Sequence, residues 1–301
     1  MKDITITVCI CTYKREHLKQ TLLSLKQQQL SSPITLDFVI IDNDKNASAK
    51  AIVESIFDGK GFNFQYQIEP EKNISLARNR SVSLATGDFL FFMDDDEIAE
   101  PNLIQALFDA LNTHKASLVL GMVKPEFPSG TPQWISNSVF FEKNLPITGT
   151  VLKSASTCNL LIHKSCIVNE IGPFDKGYGL TGGGDTELTY RLHRQGHKII
   201  TCPEAVVTEL IESDRVNLGY LKRRALRGGE TYIRSIFHYE PTFNKINTII
   251  KSAVLLPVFC LICFLNFPFG KAYYVKWLLK SYSQVGKFRA LLSSKKIQIY
   301  S

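Results

Sequence analysis

Four consecutive acidic residues, Asp94 to Glu97, follow a wholly apolar segment and could carry chemistry. Carboxylates this close raise one another's pKa unless a cation offsets their charge. Hard divalent cations prefer oxygen ligands of this kind. The alternative is a solvated acidic turn before a helix, where acids favour the positive helix N-terminus. The position at the carboxyl end of a strand favours the metal site.

Polar side chains also follow the first two apolar segments. Asp42 and Asp44 can accept hydrogen bonds from a nucleobase N–H or a ribose hydroxyl; an Asx-turn is the alternative, and it fits Asp44 better than Asp42. Thr12 and Arg15 could contact a base or a diphosphate, although a polar strand-to-helix loop explains them equally well. Arg78 could reach a phosphate or a uracil carbonyl, with a surface salt bridge as its alternative. Each residue is a candidate nucleotide contact.

Three glycines, residues 182–184, precede Asp185 and Glu187. Glycines permit a flexible loop that approaches a ligand closely. The two carboxylates then open a predicted helix, whose positive N-terminal end suits them. Asp185 either caps this helix or acts as a general base that deprotonates an incoming hydroxyl group.

Alternating strands and helices over residues 4–120 must position these side chains. The patterns predict strands at residues 4–10, 36–41, 64–68 and 89–93, and helices at 16–29, 47–57, 73–84 and from Pro101 onward. This order predicts an α/β fold with a mainly parallel sheet and helices on both faces. Ligands bind beyond the carboxyl ends of strands in such sheets. Residues 122–155 lose the rhythm and are predicted to be irregular.

The C-terminal part differs in charge and hydropathy. Residues 1–214 hold 20 Lys and Arg against 26 Asp and Glu, whereas residues 215–301 hold 15 against 2. A basic tail predicts contact with an anionic surface, and the uncharged segment 252–270 favours phospholipid over nucleic acid. That segment is near the lower limit for a membrane span. Its basic flanks and its two prolines favour a re-entrant or in-plane segment over a span, and a buried helix is the third alternative.

The chain is expected to stay in the cytoplasm. Its first residues lack the apolar region of a signal peptide. The seven cysteines are an odd number, which fits reduced thiols. Cys260 and Cys263 lie in the apolar segment without polar partners, so they are interpreted as small buried hydrophobic residues rather than as a redox or zinc motif.

Taken in order, these motifs resemble glycosyltransferase family 2, whose members have the GT-A fold. The resemblance covers roughly residues 4–210. Cys11–Arg15 looks like the family's first nucleotide-contact segment, and Ile41–Asn43 looks like its base-binding Asp. Asn73–Arg80 resembles the family's Asn…Ala-Arg-Asn segment. Asp94–Asp96 matches its Asp-x-Asp metal motif, and Gly183–Glu187 resembles the segment that supplies the catalytic base. Residues 182–196, 203–205 and 223–228 are similar to the succinoglycan-type exopolysaccharide branch.

The resemblance implies an inverting, metal-dependent transferase that moves one sugar from a nucleotide-diphosphate sugar, expected to be a UDP-sugar. Asp185 would be the catalytic base, and Asp96, assisted by Asp94 or Asp95, would hold Mn²⁺ or Mg²⁺. The residues expected to contact substrate are Thr12, Arg15, Asp42, Arg78, Asp94, Asp95, Gly183, Gly184 and Glu187. The segment from Arg223 to Arg227 lacks the Gln-x-x-Arg-Trp pattern of processive synthases, which implies single additions.

The chain departs from the family pattern at two positions. Gly184 stands where the family usually has Glu, which predicts weaker contacts to the acceptor or base, and Glu187 replaces the usual second Asp. Asp185 is retained, which favours activity. A catalytically inactive membrane adaptor of the same fold and a sugar nucleotidyltransferase are the alternatives. The nucleotidyltransferase is disfavoured because Cys11–Arg15 contains no glycine.

The expected organisation is a GT-A catalytic domain with a C-terminal helical, membrane-associated tail. Residues 1–214 would form the domain, with a nucleotide-sugar half at about 1–121 and an acceptor half at 122–214; residues 215–301 would form the tail. The expected partners are a nucleotide-sugar donor, a lipid-linked, lipopolysaccharide or exopolysaccharide acceptor, and inner-membrane phospholipid, without nucleic acid. The expected location is the cytoplasmic face of the inner membrane.

Overall fold

The structure is a computed structural model that describes residues 3–31, 33–59, 61–142, 144–167 and 172–292. The chain divides into two compact units. Of the described residues, the first unit comprises those up to Lys124 and those from 144 to Leu210, and the second comprises Pro125–Glu142 and those from Ile211 to Leu292.

A mixed sheet forms the centre of the first unit. Its strands are β1 (Ile4–Thr12), β2 (Ile34–Asp42), β3 (Asn63–Ile68), β4 (Phe89–Asp94), β5 (Glu97–Ala99), β6 (Leu118–Glu126), β7 (Val151–Leu152), β8 (Leu160–His163) and β9 (Ile199–Leu210). Their order is β3-β2-β1-β4-β8-β6-β9-β5, with β7 beside β9. The first four are parallel, whereas β8 is antiparallel to both β4 and β6, and β5 and β7 are antiparallel to β9. The predicted α/β fold is confirmed; the sheet is mixed, with the predicted parallel pairing among β1 to β4 and antiparallel pairing beyond them.

The helices follow the predicted order, with small shifts at their ends. They are α1 (Leu18–Lys26), α2 (Lys50–Phe57), α3 (Ile74–Leu84), α4 (Leu103–Thr113), α5 (Gln133–Ser136), α6 (Gly184–Arg194), α7 (Leu218–Ser235), α8 (Thr242–Leu265) and α9 (Lys271–Leu292). Asn73 caps α3 by accepting hydrogen bonds from the backbone N–H groups of Ser75 and Leu76. Strand β5 ends at Ala99, and α4 begins after its N-cap, Asn102. Pro101 therefore precedes the helix that it was predicted to open.

Strand β4 is apolar on both faces because each face lies in a core. Phe91 and Met93 pack in one cluster that includes Leu22 of α1 and Leu107 of α4. Side chains alternate between the two faces of a strand, and Leu90 accordingly packs in a second cluster. That cluster contains residues of α6. The apolar residues of β4 are therefore held between two packed layers, and Asp94 follows them at the end of the strand.

The second unit is helical, as predicted for the tail. Among the described residues, α8 is the helix long and apolar enough to cross a membrane, by length and composition alone. Its 24 residues correspond to roughly 36 Å at the helical rise per residue. The two prolines were expected to disfavour a straight span, but α8 continues through Pro257, which lacks the backbone N–H of other residues. Cys260 is exposed rather than buried.

Helices α7 and α9 approach each other closely at two glycines. A Cβ on Gly229 would lie 2.0 Å from the carbonyl oxygen of Ser283, and one on Gly286 would lie 1.9 Å from that of Leu226. Real side chains do not approach backbone atoms this closely. The two glycines therefore set the spacing of these helices.

Gly229→Ala is expected to lower the free energy of unfolding by about 1–3 kcal/mol, as overpacking does. Its neighbour Gly228 is a matched control because a Cβ there meets nothing within 4 Å. Gly228→Ala should instead stabilise the helix by about 0.5–1 kcal/mol. Urea unfolding followed by circular dichroism measures both effects, and equal stabilities of the two variants would contradict the close approach.

Candidate active site

Three predicted site residues meet where the parallel strands end. Thr12 at the end of β1 pairs in register with Asp42 at the end of β2. Cys11 pairs with Asp94 at the end of β4. The strand register therefore places the threonine hydroxyl and two carboxylates along one edge of the sheet, where ligands of such sheets bind.

The acidic turn after β4 is buried, so the alternative of a solvated turn before a helix is wrong. Asp95, Asp96 and Glu97 are 8%, 5% and 1% exposed. Burial, with added repulsion from Asp96 and Asp94, raises the pKa of the Asp95 carboxyl to about 7 despite the Thr12 hydroxyl and Arg15. Burial and the neighbouring Asp94 carboxylate raise the pKa of Glu97 well above its usual range. The turn thus gathers negative charge that a cation would stabilise.

Two predicted arginines contact this turn. The Arg15 guanidinium lies 3.6 Å from the carboxylates of both Asp95 and Asp96. The Arg78 guanidinium lies 3.5 Å from a carboxylate oxygen of Asp94, and it also lies over the ring of Phe174, 5.8 Å from the centroid. Both cations are positioned beside the acidic turn, where they can also reach an anionic ligand.

Asp42 is already surrounded by hydrogen-bond donors. Its Oδ1 accepts a hydrogen bond from the backbone N–H of Asp44, and Oδ1 of Asp44 accepts one from the backbone N–H of Asn46. The Asx-turn alternative therefore fits Asp42 as well as Asp44. Its Oδ2 accepts from the backbone N–H of Ala49 at 2.7 Å and from the Tyr66 hydroxyl at 2.8 Å. Partial burial and this bond to Asp42 raise the pKa of Tyr66. Asp42 therefore holds the loop after β2 in place.

The glycine loop turns the chain into α6. Gly182 and Gly183 have left-handed backbone φ angles of 71° and 97°, which other residues adopt only with strain. Gly183, rather than Asp185, occupies the N-cap position of α6. Asp185 lies in the first turn and is partly exposed, and its Oδ1 accepts from the backbone N–H of Thr186 at 2.8 Å. This carboxylate is accessible to a substrate.

Glu187, which was expected to contact substrate, is held in a buried ion pair. It is buried, and its Oε1 lies 3.0 Å from Nε of Arg191. The same arginine donates to the carbonyl oxygen of Pro173 at 2.8 Å. Glu187 therefore helps to fix the segment that precedes the glycine loop.

Three asparagine amides connect the strand edge to this segment. Asn43 donates to the carbonyl oxygens of Glu69 and Glu71 and accepts from the backbone N–H of Asn73. Asn73 in turn donates to the carbonyl oxygen of Lys176 at 3.1 Å. Asn79 of α3 makes two bonds of 2.8 Å to the backbone of Phe174. Helix α3 thus fixes residues 173–179 relative to the strand edge.

Asn79→Ala is expected to lower the free energy of unfolding by about 1–3 kcal/mol, because it leaves two backbone groups of Phe174 without their partner. Ser83→Ala on the same helix is the control, since its exposed hydroxyl bonds only to the carbonyl oxygen of Arg80. Thermal unfolding measures both. If the Tm of Asn79→Ala fell no further than that of Ser83→Ala, Asn79 would not be holding the segment around Phe174 in place.

The residues at the end of β4 can hold a divalent cation. One ligand atom each from Asp94, Glu97 and Cys158 lies within 4.8 Å of the other two. The predicted partner of Asp94, Asp96, is instead buried beside Arg15. The two carboxylates suit Mn²⁺ or Mg²⁺, and the sulfur atom suits a softer first-row metal. The raised pKa of Glu97 fits a site where a cation would offset the charge. The residues present therefore fit a metal.

Comparison with known proteins decides the family. Residues 7–168 match the family described as Glycosyl transferase family 2. The succinoglycan biosynthesis protein ExoM of Rhizobium meliloti (strain 1021) is 33% identical over 234 residues, which are 77% of this chain and 75% of that protein. The chain belongs to glycosyl transferase family 2. It is a glycosyltransferase, as the motifs predicted.

Solved structures confirm the GT-A fold. S. aureus TarS 1–349 in complex with UDP-GlcNAc matches with a TM-score of 0.55 and 12% identity, over 96% of this chain and 92% of that one. GalNAc-T7 with UDP, GalNAc and Mn²⁺ matches with a TM-score of 0.56 and 15% identity, over 76% and 50%. A longer TarS chain is matched over 43% of its length. At sequence identities of 12–16%, these structural similarities establish the fold alone.

The structure explains one departure of this glycosyltransferase from its family pattern. Gly184 stands where Glu was expected, and a Cβ there would lie 3.3 Å from both Ser75 Oγ and Tyr178 Cβ. This contact is tight, so a larger side chain would displace its neighbours. Gly184 therefore allows the start of α6 to pack against the start of α3.

Sequence reasoning missed several residues at this site. Asn43 and Asn79 stand inside motifs that were recognised, but no role was assigned to them. Glu97 was recognised as part of the acidic run but was not named as a metal ligand, and Cys158 lies in a part of the chain where no strand was predicted. The signal for Cys158 was weak, namely a short apolar run after it at residues 160–162.

Proposed function

We propose that this protein is an inverting, metal-dependent glycosyltransferase that transfers a single sugar from a UDP-sugar to a saccharide acceptor at a membrane. The observation that carries the proposal is the strand register, which aligns Thr12, Asp42 and Asp94 along the carboxyl edge of the sheet. Nucleotide sites of α/β sheets lie at such an edge. The UDP-GlcNAc complex of TarS, which shares the fold, supports a UDP-sugar as the donor.

The donor is assigned to the edge formed by β1, β2 and β4. Thr12 and the loop held by Asp42 would contact the base and ribose, while Arg15 and Arg78 would contact the diphosphate. Both arginines now pair with the acidic turn at 3.5–3.6 Å. A guanidinium can exchange a carboxylate for a phosphate because both present matching oxygen pairs.

A divalent metal, Mn²⁺ or Mg²⁺, belongs to the proposed reaction. Asp94 would hold it together with Glu97 or with Asp96. When bound, the cation offsets the charge on the diphosphate leaving group. GalNAc-T7, another protein with this fold, contains Mn²⁺ together with UDP.

Asp185 is proposed as the general base. It would accept the proton of the acceptor hydroxyl while that oxygen attacks the anomeric carbon. The bond from this carbon to the diphosphate breaks in the same step, and the nucleoside diphosphate leaves with the electron pair. The configuration at the carbon is therefore inverted. Asp185 is favoured over Glu187 because the latter is buried in an ion pair with Arg191.

The acceptor is proposed to be a lipid-linked, lipopolysaccharide or exopolysaccharide-type saccharide, and the location the cytoplasmic face of the inner membrane. The relationship to a succinoglycan biosynthesis protein supports a polysaccharide pathway. The catalytic role is assigned to residues 1–214 and the membrane role to residues 215–301. Exposed apolar side chains cover much of α8, and they include Phe243, Leu261, Phe264 and Leu265.

Membrane binding is tested with Leu261→Asp and Phe264→Asp combined, since these side chains are 59% and 76% exposed. Co-sedimentation with vesicles containing phosphatidylglycerol should fall by at least about tenfold, because burial of each apolar side chain is worth about 1.5–3 kcal/mol. Ile147→Asp, at an 82% exposed position of the first unit, is the control and should bind normally. Equal vesicle binding by the wild-type protein, the double variant and Ile147→Asp would show that α8 does not contact the membrane.

The donor is identified by incubating detergent-purified protein with a panel of sugar nucleotides and membrane lipid extract, with Mn²⁺, Mg²⁺ or chelator. Metal-dependent release of UDP from one donor is the expected result. If release occurs only from a donor with another base, the UDP assignment is wrong. If no donor is consumed with any metal, the proposed activity is wrong.

A further inference from the structure

A sulfur atom lies beside the acidic turn. Cys158 Sγ is within 4.8 Å of carboxylate oxygens of Asp94 and Glu97. The antiparallel register explains this placement, because Phe92 of β4 pairs with Leu160 of β8. Cys158 lies two residues before β8, and Asp94 lies two residues after Phe92, at the end of β4. The pairing of β4 with β8 therefore brings the chain around Cys158 close to the acidic turn.

The backbone next to Cys158 is held in an unusual conformation. Asn159 has a left-handed φ of 56° and is fully buried. Its Nδ2 donates to the carbonyl oxygens of Met122 and Ala205, both at 2.9 Å. Asparagine tolerates this backbone region better than most residues. These bonds fix the direction in which the chain passes Cys158.

The residues on both sides of Cys158 carry buried oxygens that lack a hydrogen-bond partner among the described residues. These atoms are Thr157 Oγ1 and Asn159 Oδ1, and both side chains are at most 1% exposed. Unsatisfied buried polar atoms are rare in proteins, and a bound ion or its water is one explanation. The two residues adjoin Cys158 in the chain, and the Asn159 amide is directed toward β6 and β9.

We propose that Cys158 supplies a thiolate ligand to the metal held by Asp94 and Glu97, and that it makes the site prefer Mn²⁺ and softer cations over Mg²⁺. The proposal rests on the metal dependence of the proposed function. Thiolate sulfur binds softer transition metals well, whereas Mg²⁺ prefers oxygen ligands. Binding releases the thiol proton to solvent, because the thiolate is the ligand.

The test is Co²⁺ titration of the full-length protein, followed by near-ultraviolet absorbance, in which a thiolate-to-cobalt charge-transfer band reports a bound sulfur. We expect this band in the wild-type protein and in Cys260→Ser, whose exposed cysteine lies on α8. Cys158→Ser should lose it. The affinity for Mn²⁺ should fall by at least about tenfold in Cys158→Ser, because loss of even an outer-shell partner costs about 10- to 100-fold, while the affinity for Mg²⁺ changes by less than about threefold.

A second measurement uses the unaltered protein, in case Cys158→Ser does not fold. Mn²⁺ should slow alkylation of Cys158, mapped by mass spectrometry, without slowing that of Cys260. Bound Co²⁺ without the charge-transfer band, or alkylation of Cys158 unaffected by Mn²⁺ at saturation, would overturn the sulfur ligand and leave the metal-dependent transferase intact. Absence of any bound metal together with metal-independent transfer would overturn both.

Discussion

Asp185→Asn is expected to reduce the rate of sugar transfer by about 10²- to 10⁴-fold, the usual contribution of a general base. The amide keeps the size of the side chain but cannot accept the proton of the acceptor hydroxyl. The side chain lies in the first turn of α6 and is partly exposed, whereas Glu187 two residues later is buried against Arg191. The loss should appear in kcat, because the donor is assigned to a different edge of the site.

The matched control is Asp109→Asn, which removes an exposed carboxylate from α4 of the same unit. It should transfer sugar at the wild-type rate. Binding of UDP, measured by isothermal titration, should be unchanged in Asp185→Asn. If this variant retained transfer within about threefold of wild type, Asp185 would not be the base, since a base contributes at least about 10²-fold.

Asp94→Asn is expected to reduce transfer by about 10²- to 10³-fold, a loss of the size seen when one group that stabilises transition-state charge is removed. Asp94 belongs both to the Asp-x-Asp motif and to the observed cluster with Glu97 and Cys158. Its replacement therefore weakens the metal site whichever second carboxylate is the ligand. It also removes the partner of Arg78, which lies 3.5 Å away.

Glu100→Gln is the control for this prediction, because it neutralises an exposed acid just after β5. Transfer is measured over a range of Mn²⁺ concentrations. Asp94→Asn should need far more Mn²⁺ or remain inactive at saturation, whereas Glu100→Gln should follow the wild-type curve. An Asp94→Asn curve that overlaid the wild-type curve would exclude this carboxylate from the metal site.

The positions of the strand-end residues could be predicted from local sequence alone. An apolar run followed by polar residues places Asp42 and Asp94 at strand ends, and parallel strands bring such ends together. The start of a helix at about residue 73 was likewise predicted, and Asn73 caps α3. These predictions depend on neighbours in sequence, so periodicity and capping rules were sufficient.

The electrostatic surroundings of the same residues could not be predicted in this way. Glu97 is buried because β5 pairs with β9, where Glu97 lies opposite Glu209. Asp42 accepts a hydrogen bond from Tyr66, which comes from the next strand of the sheet. Cys158 reaches the acidic turn only through the antiparallel pairing of β4 with β8. Each contact joins distant parts of the chain, which no local pattern encodes.

The continuity of α8 through Pro257 is another feature that local sequence rules did not predict. Proline lowers helix propensity by about 3 kcal/mol, which predicts a break. The 24-residue helix nevertheless continues, because its other residues supply propensity and because α9 packs beside it, with Phe259 and Trp277 in ring contact. Tertiary packing therefore outweighs the local penalty.

The stereochemistry of transfer is the most direct test of the central proposal, which is a single displacement with Asp185 as base. The product formed from an α-linked, isotopically labelled donor and a membrane lipid acceptor would be examined by NMR for the configuration of the new glycosidic bond. The account predicts a β-linked product. An α-linked product would contradict direct displacement and the role assigned to Asp185.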